Sequence, residues 1–285
     1  MNYIHCNKKY CIKKGDKNAV VQEINIRLAG FGGCLPTDEF TDLTEKCVKQ
    51  FQRDYMEVPE TGRVCGRELR AIEDFSNLYN FNFSQIPCPC THTSNAGKGT
   101  KDYPLCDGFG TGKKNEYPGI HRSVLFALKA LLFYFQKTKS EYKFTGISSG
   151  YRCHTDNKRH VRDTINHMGC ALDLSFNENS MTDMDTIRKN YFCKYMGAPE
   201  NAGVYGFGWK KNCIGLEANY YLNKKGEKKK GAQSWVHFDV SKFDPQYKKD
   251  IFFVKKSEDV VGKSLVKLAQ ESGFSKTCEC AGEDN

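Results

Sequence analysis

The sequence predicts an α+β protein in which a small helical unit precedes a larger unit of one apolar helix and several strands. Apolar residues recur three or four positions apart over residues 15–75, which is the helical period. Residues 121–136 (HRSVLFALKALLFYFQ) form a strongly apolar helical stretch, and mainly strand-like stretches follow it. One helix followed by strands favours a mainly antiparallel sheet flanked by helices.

Composition shifts divide the chain into four predicted segments. These are a three-helix module over 1–78, a Cys/Gly-rich linker over 79–118, an α+β domain over 119–256, and a C-terminal helix with a Cys-containing tail over 257–285.

In the helical unit, the first predicted helix begins at the cap residue Asp16 and stops at Gly30. Its apolar face carries Val20, Ile24 and Leu28. The second helix follows Thr41 as its cap, and a third runs from Arg67 to Phe75. The second apolar face consists of Leu43, Cys47 or Val48, and Phe51.

The larger unit begins with the helix over 121–136, whose core-facing residues are Val124, Leu125, Leu128, Leu131, Leu132 and Phe135. The predicted strands are KFTGISSG, ALDLSF, VYGFGW, NYYLN and SWVHFDV. A last amphipathic helix contains Val260, Val261, Leu265 and Leu268.

Fourteen cysteines are unusually many for this length. An even number at scattered spacings favours disulfides formed in an oxidising compartment. The alternative is a closed zinc site built from Cys88, Cys90 and His92 together with Cys278 and Cys280. The C-x-C spacing is shorter than zinc sites usually have, so disulfides are the preferred interpretation.

The formal net charge of +9 suits a polyanionic partner, but no nucleic-acid-binding motif accompanies it. We therefore expect no nucleic-acid partner. No apolar run is long enough to span a bilayer, so we expect no membrane insertion. The densest basic run, 224–230 (KKGEKKK), is interpreted as a solvated hairpin tip, with a substrate-steering patch as the alternative.

Two strand-like stretches carry residue types that bind metals. Asp173 shares one strand face with Ala171 and Ser175, and His237 shares one with Asp239. A carboxylate on an apolar strand is costly to bury unless it is paired or binds a metal. If the two strands are neighbours, Asp173, His237 and the nearby His167 form a three-ligand zinc set with a fourth position for water.

The helical unit resembles the three-helix peptidoglycan-binding module of cell-wall hydrolases over about residues 15–75. The matching stretches are Gly15-Asp16, the Val-x-x-x-Ile-x-x-x-Leu face, Phe40-Thr41, Val48-x-x-Phe51-Gln52 and Glu60-Thr61-Gly62-x-Val64-x-Gly66. The resemblance implies docking on wall glycan or peptide.

Residues 120–250 resemble the zinc D-alanyl-D-alanine carboxypeptidase family, which includes many phage endolysins. The matching motifs are Ser149-x-x-Arg152, His167-x-Gly169-x-Ala171-x-Asp173 and Trp235-x-His237. The resemblance implies that His167, Asp173 and His237 bind Zn²⁺. It also implies that Arg152 binds the substrate or the developing oxyanion.

The His-to-Gly spacing is one residue shorter than in the family, which places Asn166 at the usual ligand position. We still predict His167 as the ligand, because a loop entering a strand can absorb a deletion and Asn is a poor zinc ligand. His160 and His154 are the alternatives.

The family's acid three residues before the last His is Ser234 here. Catalysis requires a carboxylate that takes a proton from the zinc-activated water and passes it to the leaving amine. Asp239 is the first candidate for this base and Glu217 the second. Asp239 has an alternative role as the partner that orients the imidazole of His237.

The pairing of the two units predicts a zinc-dependent endopeptidase or carboxypeptidase that cleaves the stem peptides of peptidoglycan, acting as an endolysin or an antibacterial effector. An immunity or lysis protein is the expected further partner. The start of the sequence carries no classical signal peptide, so we expect activity in the bacterial periplasm or wall after non-classical delivery. The alternative is a non-catalytic, zinc-stabilised peptidoglycan-binding protein.

Overall fold

The computed structural model describes residues 11–91, 106–113, 115–162 and 164–274. Its helices are α1 (Ala19–Arg27), α2 (Asp42–Phe51), α3 (Gly66–Asn77), α4 (Arg122–Lys137), α5 (His154–Arg159), α6 (Met181–Ile187), α7 (Lys194–Met196) and α8 (Leu265–Glu271). A π-helical turn over Gln52–Met56 extends α2, and another over Arg188–Cys193 joins α6 to α7.

The strands are β1 (Ile120–His121), β2 (Phe144–Ser149), β3 (Ala171–Phe176), β4 (Gly215–Leu216), β5 (Tyr220–Leu222), β6 (Lys228–Lys230), β7 (Val236–Asp239) and β8 (Phe253–Val254). The main sheet has the order β2-β3-β7-β4, and all its pairs are antiparallel. The pairs β1-β8 and β5-β6 form two small antiparallel sheets. The predicted α+β class with antiparallel sheets is therefore confirmed.

The caps of the first two helices differ in how well the sequence predicted them. Asn18, rather than Asp16, caps α1 by accepting a hydrogen bond from the Val21 N–H at 3.1 Å. Thr41 caps α2 as predicted, in a reciprocal capping box with Thr44.

Gly30 is important for packing. A Cβ at this position would lie 2.3 Å from the Cβ of Ala130 on α4, so only glycine permits this approach. The predicted stop residue is thus a point of close contact between the helical unit and α4.

The helical unit packs directly against α4, beyond its covalent connection through residues 79–118. Phe31 contacts Phe133 and Tyr134, with ring centroids 5.8 and 5.6 Å apart. Glu23 forms a two-pronged ion pair with Arg122 at 2.6 and 2.8 Å. These contacts join both units into one buried core.

The C-terminal helix α8 is shorter than predicted and packs on the helical unit. The Leu265 N–H donates to Glu73 at 2.6 Å, and Ser264 caps the helix. Val260 lies before α8 and is buried. The Cys-containing tail lies outside the described residues.

One strand prediction is wrong, and the hairpin predicted for the basic run is confirmed. The stretch VYGFGW (204–209) contains no strand, and the short strand β4 follows it instead. The basic run over 224–230 does form an exposed hairpin, whose second strand is β6. Lys228 lies 3.9 Å from the centroid of the Tyr220 ring, so a cation–π contact supports this hairpin.

Most of the described cysteines form no disulfide. Of the described cysteines, Cys11 and Cys65 form a disulfide and nine others remain thiols. The expectation of a disulfide-stapled linker is wrong for Cys88, Cys90 and Cys106, which form no disulfide. The zinc ligands His92, Cys278 and Cys280 of the alternative lie outside the described residues.

Within the described ranges, every helix is too short or too polar to cross a membrane.

The buried His121 caps the N-terminus of α4, and this role requires a neutral ring. Its Nδ1 accepts from the Ser123 N–H at 3.2 Å, and its Nε2–H donates to the Tyr247 carbonyl at 2.8 Å. Burial lowers the pKa of His121 from 6.5 to about 4. A protonated ring would also lose the acceptor that caps the helix.

Because the unfolded chain protonates His121 near pH 6.5 and the folded chain near pH 4, acidification between these values favours unfolding. We expect His121 alone to lower the free energy of unfolding by up to about 3 kcal/mol over this window. Denaturant titrations of wild type and His121→Asn at pH 7 and pH 4 measure how much free energy of unfolding each protein loses on acidification. Asn keeps a capping acceptor, so the variant should lose clearly less stability on acidification. Equal losses in both proteins would contradict this assignment.

Candidate metal centre

The main sheet aligns polar residues in a single row across its strands. Ser149 on β2 pairs with Asp173 on β3, and Asp173 pairs with His237 on β7. Continuing the β4-β7 register places Glu217 opposite His237, and the Glu217 N–H donates to the His237 carbonyl at 3.3 Å. Directly opposed residues share one face of an antiparallel sheet. Ser149, Asp173, His237 and Glu217 therefore share a face.

The opposite face of the same strands is apolar. Leu172 and Leu174 of β3 and Val236 and Phe238 of β7 are all fully buried. The alternation predicted from the sequence thus anchors the sheet in the core and turns the polar row towards one side.

His167 joins this row from the loop before β3. A tight turn over 166–170, closed by the Cys170 N–H on the Asn166 carbonyl at 2.9 Å, accommodates the short His-to-Gly spacing. The Arg152 N–H donates to the His167 carbonyl at 2.8 Å and ties this turn to the end of β2. The side chain of His167 is thereby held over the sheet beside Asp173.

Three potential ligand atoms form a compact triangle. His237 Nδ1 lies 2.8 Å from Asp173 Oδ1, and His167 Nε2 lies 3.2 Å from each of these atoms. Four ligands arranged tetrahedrally around zinc at 2.0–2.1 Å are about 3.3 Å apart. The donor types and their spacing therefore fit a zinc ion, and all three residues are buried.

The second nitrogen of each imidazole is held by a fixed partner. His167 Nδ1 lies 2.8 Å from the Gly150 carbonyl, and His237 Nε2 lies 3.0 Å from Asp239 Oδ2. A carbonyl or carboxylate on the far nitrogen fixes the tautomer and orientation of a metal-binding histidine. Both rings are thus preset to direct their other nitrogen towards Asp173.

Asp239 is fully buried and surrounded by donors. Its Oδ2 also accepts from Trp209 Nε1 at 2.5 Å and from Asn166 Nδ2 at 3.2 Å, while Oδ1 accepts from the Ser241 N–H at 2.8 Å. These contacts favour the orienting role of Asp239 over the role of general base, which was its first assignment. A base must reach the substrate side of the metal, and Asp239 lies behind His237.

The pKa values of Asp173, His167 and His237 are set by burial and by their contacts with one another. Burial by itself would raise the pKa of Asp173. Contacts with His167 and His237 outweigh burial and hold that pKa well below its usual range. Burial lowers the pKa of His167. Burial also opposes the charging of His237, but hydrogen bonds to Asp173 and Asp239 raise its pKa to about 10. A metal ion bound here would take the place of the proton on His237.

Arg152 lies next to the three candidate ligands. Its Nη2 donates to Asp173 Oδ2 at 2.6 Å, and its Nε donates to Ser149 Oγ at 2.6 Å. A guanidinium carries five N–H donors, and Nη1 has no partner among the described residues. Arg152 is thus positioned by Ser149 and Asp173 with donors left for a substrate.

Glu217 is the carboxylate that remains available on this face. It is partly exposed, and its carboxylate makes no hydrogen bond within the described part of the chain. Burial, followed by the repulsion of Asp173 and Asp239, raises its pKa despite His237. A Cβ at Gly231 would lie only 3.3 Å from Glu217 Oε1, so the carboxylate lies beside the segment that leads into β7.

The other predicted positions lie elsewhere. His160, whose Nδ1 contacts the Asp156 carbonyl at 2.9 Å, and His154 belong to the α5 region and do not join the three ligands. Asn166 donates to Asp239 and lies outside the group of three candidate ligands. Ser234 is exposed before β7.

Sequence reasoning missed the role of Trp209, which it placed in a strand. The indole N–H donates to Asp239, and the ring occupies the space where a side chain at Gly215 would be. The Trp209 side chain is 37% exposed, and nothing in the local sequence identifies Asp239 as the acceptor of its N–H.

A second group of potential ligands comes from outside the sheet. Cys88, Cys90, Cys106 and Cys153 are all buried and lie together, so the described residues include two groups that could bind a metal.

Comparison with known proteins adds no assignment: no family model matches this chain, and no curated protein matches it.

Replacing the carboxylate behind His237 tests the arrangement of this centre. We expect Asp239→Asn to weaken zinc binding about 10- to 100-fold, because the orienting partner of His237 loses its charge. Competition with a chromophoric zinc chelator measures the affinity. Asp244→Asn is the matched control, because Asp244 pairs with Asn212 and Lys211 away from the ligands. Unchanged affinity in a folded Asp239→Asn protein would exclude this role.

Proposed function

We propose that this protein is a zinc-dependent peptidase that cleaves the stem peptides of bacterial peptidoglycan. The observation that carries the proposal is the triangle of His167, Asp173 and His237 ligand atoms, with Glu217 in the same row of the sheet. Two histidines and a carboxylate with a free fourth position are the ligand set of catalytic zinc rather than of a closed structural site.

Zinc held by these residues would supply an activated water and a Lewis acid for the scissile carbonyl. Glu217 is assigned as the general base, because it shares the sheet face of Asp173 and His237 and its carboxylate makes no hydrogen bond among the described residues. Burial raises its pKa, which favours uptake of a proton. It takes the proton from the attacking water and delivers it to the leaving amine. Arg152 stabilises the negative charge that develops on the carbonyl oxygen.

The substrate class rests on the resemblance of both units to parts of cell-wall hydrolases. The helical unit would dock on the wall polymer while the sheet unit cleaves the peptide. Because the two units share a core through Phe31 and the Glu23–Arg122 ion pair, they would move as one body. Docking would therefore fix the direction of the metal centre relative to the wall in addition to raising its local concentration.

Delivery and partners follow from this substrate. Peptidoglycan is reached in the periplasm or wall, so the protein would act there as an endolysin or an antibacterial effector. An immunity or lysis protein would then be its partner.

A second candidate function is a non-catalytic peptidoglycan-binding protein in which zinc only stabilises the fold. Two observations favour it: Ser234 occupies the position of the family's acid, and each of the three ligands is at most 5% exposed. Glu217 is the residue on which the choice depends.

The deciding experiment is mass spectrometry of purified peptidoglycan after incubation with the protein, with and without a chelator. New stem fragments that disappear with chelator and in His167→Ala support the peptidase and identify the cleaved bond. The non-catalytic function is supported if the peptidoglycan stays intact although the protein binds zinc and sediments with the insoluble wall.

Glu217→Gln separates catalysis from metal binding. We expect the variant to keep its zinc but to lose activity by about 10²- to 10⁴-fold, the usual contribution of a general base. Rates of fragment release and zinc content are measured together. Glu227→Gln, in the exposed β5-β6 hairpin, is the matched control and should retain full activity. Full activity in Glu217→Gln would remove Glu217 from the mechanism.

A further inference from the structure

Four cysteines from three separate stretches of the chain meet in the core beside the candidate metal centre. Cys88 and Cys90 lie near a 3₁₀ turn, Cys106 follows a segment outside the described residues, and Cys153 precedes α5. Each of the four is at most 5% exposed. Single buried thiols are ordinary small apolar residues. Four thiols in mutual contact require a different explanation.

The distances among the sulfur atoms are those of a metal site. Cys90 Sγ lies 3.1 Å from Cys106 Sγ and 3.6 Å from Cys153 Sγ, and all four sulfurs lie within 4.8 Å of one another. Tetrahedral zinc with Zn–S bonds of 2.3 Å separates its sulfur ligands by about 3.8 Å. A disulfide would bring two of them to about 2.05 Å. None of the four is disulfide-bonded, whereas Cys11 and Cys65 are.

Backbone amides point at these sulfurs. The Cys153 N–H donates to Cys88 Sγ at 3.4 Å, and the Asp156 N–H donates to Cys153 Sγ at 3.3 Å. Four thiolates around one divalent ion carry a net charge of −2, and N–H donors of this kind stabilise that charge. The surroundings therefore suit thiolates rather than apolar packing of neutral thiols.

We propose that Cys88, Cys90, Cys106 and Cys153 bind a structural Zn²⁺ ion, separate from the ion assigned to His167, Asp173 and His237. Thiolate sulfur favours zinc over Mg²⁺, Ca²⁺ and Mn²⁺, and a tetrahedral four-cysteine shell leaves no open position for catalysis. On binding, the four thiols release their protons to solvent. The site is closed and its role is to hold the fold.

The segment Gly150–Cys153 connects this site to the other centre. The Gly150 carbonyl holds His167, Arg152 contacts Asp173, and Cys153 is one of the four thiols. On the other side, the Tyr151 N–H donates to the Ile86 carbonyl at 2.7 Å, two residues before Cys88. The structural zinc would therefore position Arg152 and His167 by fixing the backbone between them and the linker.

Metal content tests the proposal. We expect the reduced full-length chain to hold two zinc ions and His167→Ala to hold one. X-ray absorption of His167→Ala should then show only sulfur ligands at about 2.3 Å. This variant leaves all four thiols unchanged, so the measurement does not depend on whether cysteine variants fold. Cys106→Ser should lose one zinc ion, and the control Cys213→Ser should keep both.

Several results would overturn the thiolate site. These are a His167→Ala protein without zinc, zinc with nitrogen or oxygen ligands in that variant, iron in place of zinc, or disulfides among the four cysteines in a non-reducing peptide map. The outcome is independent of catalysis: one sulfur-bound zinc in His167→Ala with no cleavage of peptidoglycan by wild type would reject only the peptidase.

Discussion

The rest of the site depends on how the buried carboxylate of Asp173 is compensated by its partners. A carboxylate in the centre of a sheet costs several kcal/mol unless its oxygens are compensated. Oδ1 faces His167 and His237, and Oδ2 accepts from Arg152. These partners come from a loop, a neighbouring strand and the end of β2. Satisfying one charge therefore requires three separate parts of the chain to be in place at the same time.

The packing around Asp173, His167 and His237 holds these side chains rigidly in place. Beneath them, the apolar face of β3 and β7 is packed in the core, which leaves the strands no freedom to shift register. Behind them, Asp239 fixes His237 and is itself held by Trp209 and the Ser241 amide. The segment Gly150–Cys153 also holds the group, because the Gly150 carbonyl contacts His167 and Arg152 contacts Asp173. A metal ion would thus meet ligands whose orientation is already determined, so little ordering would accompany binding.

The helical unit and the sheet unit are parts of one body. The aromatic contacts of Phe31, the close approach at Gly30 and the hydrogen bond from Tyr134 to Asp54 at 2.7 Å all join the unit to α4. α8 returns from the C-terminal side to pack on α1 and α3. This packing gives the candidate metal centre a constant orientation relative to the helical unit, which a flexible tether would not provide.

By itself, the sequence determined the helical periods, the Thr41 cap, the α+β class with its antiparallel sheet, and the grouping of His167, Asp173 and His237 as candidate ligands. These depend on spacing and on the chemistry of a few residues, which a sequence displays directly. Only the tertiary structure decided that Asn18 replaces Asp16 as a cap, that Asp239 orients His237 while Glu217 remains available, and that Cys106 and Cys153 join Cys88 and Cys90. Each of these depends on which distant residues meet across a sheet or loop, and a linear sequence does not contain those distances.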